Sequence, residues 1–222
     1  MNTEREKILE RALVQFIKPI RGIPFEVVIN AICGTSVKKF DRDNKKNNET
    51  LELLIAAMRD ACKAVQENPI ERSRPNEVGN DMEPFVIRAL IDRKFVAAAP
   101  KTKGGKGKST GYPDVRISTG DASIYLEVKT YALPNHNTTQ RSFYLSPAED
   151  PKVSDDGYHL LVGFEIERNG SLYMPVAFEI VDLYGLECDM KAEFNSDNRR
   201  LYAHQRILAQ ERVNASHKLR TE

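Results

Sequence analysis

The sequence has few cysteines and no long hydrophobic run. Its three cysteines, Cys33, Cys62 and Cys188, are odd in number and far apart, which argues against a disulfide framework or a CxxC metal knuckle and favours a reducing compartment. No apolar run approaches the length that spans a bilayer, and the chain opens on the charged residues Thr3 to Lys7 instead of a signal-peptide core. We therefore expect a soluble, cytoplasmic protein that does not associate with membranes.

The chain also has little net charge and lacks several familiar catalytic motifs. A formal net charge of +1 argues against a generally basic nucleic-acid coat, so any DNA contact must come from local basic clusters. The histidines show no HExxH spacing, no GxSxG elbow is present, and the Walker pattern ending at Ser109 fails because Thr102 stands where glycine is required. Zinc-dependent hydrolysis and nucleotide hydrolysis are therefore disfavoured.

A Pro-Asp pair upstream of an acid-x-lysine triplet is the most informative feature that is present. Residues 122–131 alternate like a strand, which places Glu127 and Lys129 on the same face. Tyr112 to Ile117 is predicted to be a second strand, and the Thr-Gly-Asp sequence after it supplies a turn. An antiparallel return would bring Asp114 close to Glu127. The predicted hairpin thus gathers two carboxylates and one ammonium.

This arrangement suits metal-assisted cleavage of a phosphodiester. Mg2+ prefers a few oxygen ligands while it keeps waters and contacts the substrate phosphate, and Asp114 and Glu127 could supply such oxygens. Lys129 could orient or deprotonate the attacking water and offset charge in the transition state. Other acid-x-lysine triplets lie on no comparable strand and are expected on the solvated surface; they start at Asp43, Asp92, Asp150 and Asp189.

Over roughly residues 79–141, these motifs resemble the PD-(D/E)xK nuclease superfamily, to which most type II restriction endonucleases belong. The resemblance implies that Asp114, Glu127 and the backbone carbonyl of Val128 bind Mg2+, and that Lys129 assists the water. It also implies an acidic residue on the preceding helix, for which Glu83 is the matching position. The implied fold is α/β (α+β), a restriction-endonuclease-like core with a central mixed β-sheet flanked by helices.

Each of these residues also has a purely structural interpretation. Glu83 could be a first-turn acid of a helix capped by Asn80 or Asp81, where it favours the helix dipole. Asp114 could be a turn or strand-end aspartate, and Glu127 could belong to a charged face of a half-exposed sheet. The joint occurrence of all these residues favours the catalytic interpretation.

Two polar segments flank the predicted hairpin and are candidates for DNA contact. The segment before it combines lysines with flexible glycines and could close over a phosphate backbone. The segment after it is rich in amide, hydroxyl and guanidinium groups that read base edges in a groove. Either could instead be an ordinary solvated loop. The candidates are Lys101, Lys103, Lys106 and Lys108 in the first segment, and Asn135, Asn137, Thr138, Thr139, Gln140, Arg141 and Ser142 in the second.

The rest of the chain is predicted to form helices first and strands later. Thr3 and Glu6 form a capping box that opens an amphipathic helix, and a second helix follows Pro24. Further helices are expected over 48–68, 82–94 and 195–210, and strands over 158–167 and 172–180 joined by an Asn-Gly turn of type I′. We interpret residues 1–222 as a single endonuclease domain, with a helical region for dimerisation or DNA contact over 1–75, a catalytic core over 76–185 and a C-terminal helix and tail over 186–222.

The resemblance and the chain length together predict a type II restriction endonuclease. Such an enzyme would be a Mg2+-dependent homodimer that cleaves double-stranded DNA at a short palindromic site, and a companion DNA methyltransferase would protect the host. Two alternatives stay open. The first is a structure-selective nuclease of the junction-resolvase or repair type. The second is a catalytically silent DNA-binding module, which is disfavoured because Asp114, Glu127 and Lys129 are all present.

Overall fold

A computed structural model of the protein describes residues 3–74, 77–108, 110–120, 122–139 and 143–209. The chain divides into two compact units, one of residues 21–189 and one of residues 1–20 together with 190–222. The helices are α1 (Glu4–Phe16), α2 (Phe25–Cys33), α3 (Lys45–Glu67), α4 (Val78–Asp92) and α5 (Asn198–Leu201). The strands are β1 (Ile20–Pro24), β2 (Val37–Lys38), β3 (Ile70–Glu71), β4 (Val96–Ala98), β5 (Val115–Ser118), β6 (Ser123–Tyr131), β7 (Gly157–Asn169), β8 (Leu172–Asp182) and β9 (Glu187–Met190).

The two long helices of the larger unit, α3 and α4, pack on each other and on the sheet. The Asn44 side chain caps α3 by accepting hydrogen bonds from the backbone N–H groups of Lys46 and Asn47. Apolar residues at helical spacing then form the buried stripes of both helices. These residues are Leu54, Ala57, Met58, Ala61 and Val65 in α3, and Val78, Met82, Val86, Ala89 and Leu90 in α4.

A seven-stranded sheet forms the centre of the larger unit, in the order β3-β8-β7-β6-β5-β4, with β2 pairing the start of β7 outside this path. The sheet is mixed, because β6 runs antiparallel to β5 and parallel to β7. Alternate residues of β6 face opposite sides. Leu126 packs into the core that α3 and α4 cover, whereas Tyr125 packs with Phe25 and Ile29 of α2. Helices therefore cover both faces of β6, which confirms the predicted mixed α/β sheet with flanking helices.

The hairpin between β7 and β8 differs from the predicted type I′ turn. Asn169 stays in the ladder opposite Leu172, so Gly170 and Ser171 are the two turn residues. Of these two, only Gly170 has a positive φ, at 64°. A type I′ turn requires a positive φ at both positions, whereas glycine at the first position alone fits type II′. The predicted turn was therefore placed one residue too early and given the wrong type.

The smaller unit contains α1 and α5. The predicted capping box of α1 is confirmed, since the Thr3 side chain accepts from the Glu6 N–H and the Glu6 side chain accepts from the Thr3 N–H. The helix predicted over 195–210 is wrong in extent: α5 ends at Leu201, and a 3₁₀ turn follows at His204–Arg206. In the described parts of the chain, no helix combines the length and the apolarity needed to cross a membrane.

Candidate active site

The hairpin of β5 and β6 brings Asp114 to the strand that carries Glu127. Val115 lies opposite Leu126 in the antiparallel register, so Asp114 stands directly before the first residue of β5 and beside the middle of β6. One carboxylate oxygen of Asp114, Oδ2, accepts a hydrogen bond of 2.9 Å from the backbone N–H of Val128. This bond fixes the Asp114 carboxylate against β6 and leaves its second oxygen for another partner.

Glu127 is a buried acid, with only 4% of its surface exposed. Its Oε1 accepts a hydrogen bond from the Lys129 ammonium, while its Oε2 is buried and has no hydrogen-bond partner among the described residues. Burial, followed by the nearby Asp114 charge, raises the pKa of Glu127 to about 7, although Lys129 acts in the opposite direction. The interpretation of Glu127 as part of a half-exposed charged face is therefore wrong, because helices cover this strand on both sides.

Glu83 lies on α4, half-buried and facing the same group of charges. Burial and then the Asp114 charge raise the pKa of Glu83, while Lys152 and Lys129 lower it. The capping interpretation fails, because α4 begins at Val78 and Glu83 falls beyond its first turn. Asp81 is also engaged elsewhere: its two carboxylate oxygens accept hydrogen bonds of 2.6 Å each from the Arg72 guanidinium.

The oxygens around Glu127 fit a divalent cation. Among the described residues, no three His, Cys, Asp or Glu side chains are grouped closely enough to hold a metal, so Glu83 does not complete a site with the other two acids. The candidate ligands are the Asp114 oxygen that does not bind the Val128 N–H and the Glu127 Oε2, which has no partner among the described residues, and the family resemblance adds the main-chain carbonyl of Val128. Mg2+ commonly takes only one or two protein carboxylates and keeps several waters. A buried carboxylate oxygen without a partner is costly unless a cation or a donor reaches it.

Lys152 is a residue of this site that the sequence analysis missed. It is the lysine of the Asp150 triplet, which was expected on the solvated surface, yet Lys152 is only 5% exposed. Its ammonium donates hydrogen bonds to the carbonyls of Gly111 at 2.6 Å and Pro113 at 3.0 Å. These partners lie 41 and 39 residues earlier in the chain, so no local pattern could have indicated the contact.

The lysine-rich segment before β5 is a tight turn stabilised by several hydrogen bonds. Lys101 bridges Gly107 in antiparallel fashion, and Thr102 binds Lys106 through both its backbone and its hydroxyl. The ammonium of Lys103 donates a hydrogen bond to the carbonyl of Cys33, where α2 ends. We call residues 101–108 the basic turn. The side chains of Lys101, Lys106 and Lys108 are exposed, so they remain available to a polyanion.

A cleft of about 720 Å³ adjoins the site at Lys129. Asn135, His136 and Thr138 line its rim, and residues 135–139 are all exposed. His136 also contacts Glu179 of β8, with 3.0 Å between Nε2 and Oε2, and the hydrogen bond that the Glu179 carboxylate accepts from this ring is the main cause of the raised pKa of His136. The remaining predicted members of this polar segment, Gln140, Arg141 and Ser142, lie outside the described residues.

Comparison with known proteins identifies the family. A profile of the type II restriction enzyme MjaV family matches residues 19–205, which is most of the chain. The chain belongs to the type II restriction enzyme MjaV family. A curated relative, the type II restriction enzyme MjaV of Methanocaldococcus jannaschii, is 33% identical over 210 residues, covering 87% of this chain and 91% of the relative. No solved structure matches the chain. This MjaV-family member therefore agrees with the predicted enzyme class, and the matched range contains the whole β5–β6 hairpin, Glu83 and Lys152.

Proposed function

We propose that the protein is a type II restriction endonuclease that hydrolyses phosphodiester bonds of double-stranded DNA at a short, specific and palindromic sequence, with Mg2+ bound at Asp114 and Glu127. Family membership supports the class of enzyme. One structural observation carries the location of the site: the buried Glu127 offers an unpartnered oxygen beside Asp114 and is bound to Lys129 through its other oxygen.

The residues of the site divide the chemistry between them. Asp114, Glu127 and the Val128 carbonyl would hold Mg2+, which supplies a positive charge to the scissile phosphate and its bound water. Lys129 is held by Glu127 at the mouth of the cleft, where it can orient the attacking water and stabilise negative charge on the phosphate. Burial on both sides of β6 strengthens these charge interactions because little water is present to screen them.

DNA contact is assigned to two surfaces. The exposed lysines of the basic turn would contact phosphates, which adds affinity without sequence information. The exposed rim at residues 135–139, continued by Gln140, Arg141 and Ser142, would enter a groove and read base edges. The cleft is lined both by this rim and by Lys129, so base reading and cleavage would take place in the same cleft.

A homodimer would place two such sites on opposite strands of a palindrome. α1 supports a contact with a second copy, because none of its residues is buried although its apolar stripe includes Leu9, Leu13 and Phe16, exposed by 52%, 43% and 70%. Replacing Leu9 and Leu13 by glutamate is expected to convert a dimer into monomers in sedimentation measurements. A wild-type protein that is monomeric both free and on DNA would contradict this assignment.

The cellular setting follows from the same proposal. An enzyme that cuts DNA at a short sequence requires host protection, so we infer a partner DNA methyltransferase with the same specificity. We place the protein in the cytoplasm, and its three free cysteines, Cys33, Cys62 and Cys188, suit a reducing compartment.

The decisive experiment is digestion of a long DNA of known sequence by the purified protein in Mg2+, in Ca2+ and without a divalent ion. We expect discrete fragments with a common sequence at their ends in Mg2+, and sequence-specific binding without cutting in Ca2+. Cleavage that is independent of divalent ions would contradict the metal site. Cleavage confined to branched DNA would instead indicate a structure-selective nuclease, and binding without cleavage in any metal would indicate a silent module.

A further inference from the structure

Lys152 is an unusual lysine because it is buried without a direct carboxylate partner. Lysine is almost never fully buried unless it is paired, yet Lys152 is 5% exposed. Its ammonium donates to the Gly111 and Pro113 carbonyls at 2.6 Å and 3.0 Å. Within the described residues, none of the ion pairs includes Lys152. Its charge therefore has to be stabilised by carbonyls and by acids at longer range.

Those acids are Asp114 and Glu127 of the proposed site and the neighbouring Glu83. Burial lowers the pKa of Lys152, whereas Asp114, Glu127 and Glu83, in that order, raise it. Conversely, Lys152 opposes the rise in the pKa of both Glu83 and Glu127. The buried ammonium therefore interacts favourably with every acid of the site.

Lys152 also belongs to a segment that joins the site to the basic turn. Asp150 accepts a hydrogen bond of 2.9 Å from the Gly104 N–H, and the Pro151 carbonyl accepts one of 3.0 Å from the Lys103 N–H. Lys152 then holds the main chain on either side of Tyr112, directly before Asp114. Three consecutive residues thus fix both the basic turn and the start of β5.

We propose that Lys152 is a positioning residue of the cleavage site. It fixes the main chain before Asp114 through two carbonyls, and its buried ammonium supplies a positive charge that favours the ionised forms of Asp114, Glu127 and Glu83 when no divalent cation is bound. This role rests on the proposed function in one respect, namely that Asp114 and Glu127 form a cation site.

The positive charge of Lys152 couples to cation binding in a way that simple packing would not. A divalent cation and the Lys152 ammonium stabilise the same acids, so each makes the other less necessary. Replacing Lys152 by methionine keeps an unbranched buried side chain but removes its charge and its donors. The cation-free variant is therefore expected to be less stable than wild type, and it is expected to bind a divalent cation more tightly.

The test compares wild type with Lys152→Met and with the matched control Lys63→Met, in which an exposed lysine of α3 is replaced. Titration calorimetry with Ca2+ on the free protein needs no DNA and no turnover. We expect the Ca2+ dissociation constant of Lys152→Met to be roughly threefold to tenfold lower than that of wild type, and that of Lys63→Met to be unchanged. The Tm rise produced by Ca2+ should be larger in Lys152→Met for the same reason.

A second variant separates charge from shape. Adding Glu83→Gln to Lys152→Met removes one of the acids that lost its counter-charge, so the double variant should recover part of the Tm that Lys152→Met loses without cation. A packing role for Lys152 gives no such recovery. If Lys152→Met does not fold without cation, Ca2+ should restore its folded circular dichroism spectrum, and failure to do so would overturn the proposal.

Cleavage gives the final readout. In Mg2+, Lys152→Met should show kcat roughly tenfold or more below wild type because the main chain before Asp114 loses the two hydrogen bonds from Lys152, while Lys63→Met cleaves normally. Suppose that the wild-type protein binds Ca2+ and cleaves DNA. Ca2+ binding by Lys152→Met that is equal to or weaker than that of wild type would then overturn the role of Lys152 but not the metal site. A wild-type protein that binds no divalent cation would overturn the metal site and, with it, this role.

Discussion

The β5–β6 hairpin and the rim of the cleft at residues 135–139 meet near Lys129, but they are held in different ways. Glu127 is 4% exposed, and Asp114 is fixed by a hydrogen bond to the main chain of β6. Every residue of the rim is exposed, and its hydrogen bonds are mostly local, such as that from the Thr138 hydroxyl to the Asn135 carbonyl. Buried charges cannot be rearranged cheaply, whereas exposed polar groups can adapt to a bound duplex. The comparison thus separates a rigid reacting centre from an adaptable contact surface.

The largest effect is expected from changing the rigid centre. Asp114→Asn keeps an acceptor for the Val128 N–H but removes the charge, and Lys129→Met removes the ammonium that Glu127 holds. Each substitution is expected to lower kcat for DNA cleavage by about a thousandfold. Single-turnover cleavage of a defined duplex measures this loss.

The matched controls come from exposed positions outside the site. Asp92→Asn changes the acid of another acid-x-lysine triplet, whose partner is Arg88 at 3.1 Å, and Lys63→Met changes an exposed lysine of α3. Both controls should cleave at the wild-type rate. Near-wild-type cleavage by Asp114→Asn or Lys129→Met would show that the reacting centre lies elsewhere.

A backbone contact in the sheet gives the next largest effect. A Cβ added at Gly157, at the start of β7, would lie 2.4 Å from the Ser123 carbonyl oxygen, whereas one added at Gly163 would lie 3.2 Å from the edge of the Tyr131 ring beside the cleft. Backbone cannot yield as a side chain can. We therefore expect Gly157→Ala to cost about 3 kcal/mol of unfolding free energy and Gly163→Ala about 1 kcal/mol. Urea denaturation measures the loss of unfolding free energy in each variant. Equal losses would contradict the difference in rigidity between the backbone contact at Gly157 and the side-chain contact at Gly163.

The hairpin was predictable from the sequence because its signals are local. Alternation along residues 122–131 defined β6, the Thr-Gly-Asp turn defined the antiparallel return, and the observed register places Val115 opposite Leu126. The placement of Asp114 beside Glu127 follows from those two facts alone. The burial of Glu127 did not follow, because alternation fits a half-exposed strand as well as one covered on both faces.

Features that depend on distant contacts were missed. Lys152 reaches carbonyls about forty residues away, so nothing around position 152 marks it as buried. The helix predicted over 195–210 shortened to α5, none of whose residues is buried, and short helices are marginal without tertiary packing. The Asn-Gly signal indicated a hairpin correctly, but the position of the turn depended on how β7 and β8 pair, with Asn169 retained in the ladder.

A smaller effect is expected from pH acting on the aromatic cluster behind the site. His159 is fully buried among Phe25, Tyr112 and Tyr125, and its Nδ1 lies 2.7 Å from the Tyr112 hydroxyl. Burial lowers the pKa of His159 from 6.5 to about 4. Between those values the unfolded chain binds a proton that the folded protein does not, so the His159 contribution to stability falls as pH drops below 6.5. That contribution should fall by about 2 kcal/mol between pH 7 and pH 5, whereas Glu127, whose pKa is raised to about 7, acts in the opposite direction over the same range.

His159→Phe is the matched variant for this effect, since it keeps an aromatic ring and removes the titrating group. Chemical denaturation at pH 7 and pH 5 should show that lowering the pH changes the stability of His159→Phe more favourably than that of wild type, by about 2 kcal/mol. Identical losses in the two proteins would mean that other groups cause the acid sensitivity.

The smallest effect is expected within the basic turn, where one lysine is already engaged and another is free to contact DNA. Lys103 and Lys106 are both exposed, but the ammonium of Lys103 donates a hydrogen bond to the Cys33 carbonyl. Lys106→Ala should weaken DNA binding in Ca2+ by a few-fold and reduce the slope of log affinity against log salt by about one, with no change in the preferred sequence. Lys103→Ala should leave the slope nearly unchanged, because the ammonium of Lys103 is already hydrogen-bonded to the carbonyl of Cys33 at the end of α2. A larger change in slope for Lys103→Ala than for Lys106→Ala would mean that Lys103 leaves Cys33 to bind phosphate, and the basic turn would then belong with the adaptable surface rather than with the rigid centre.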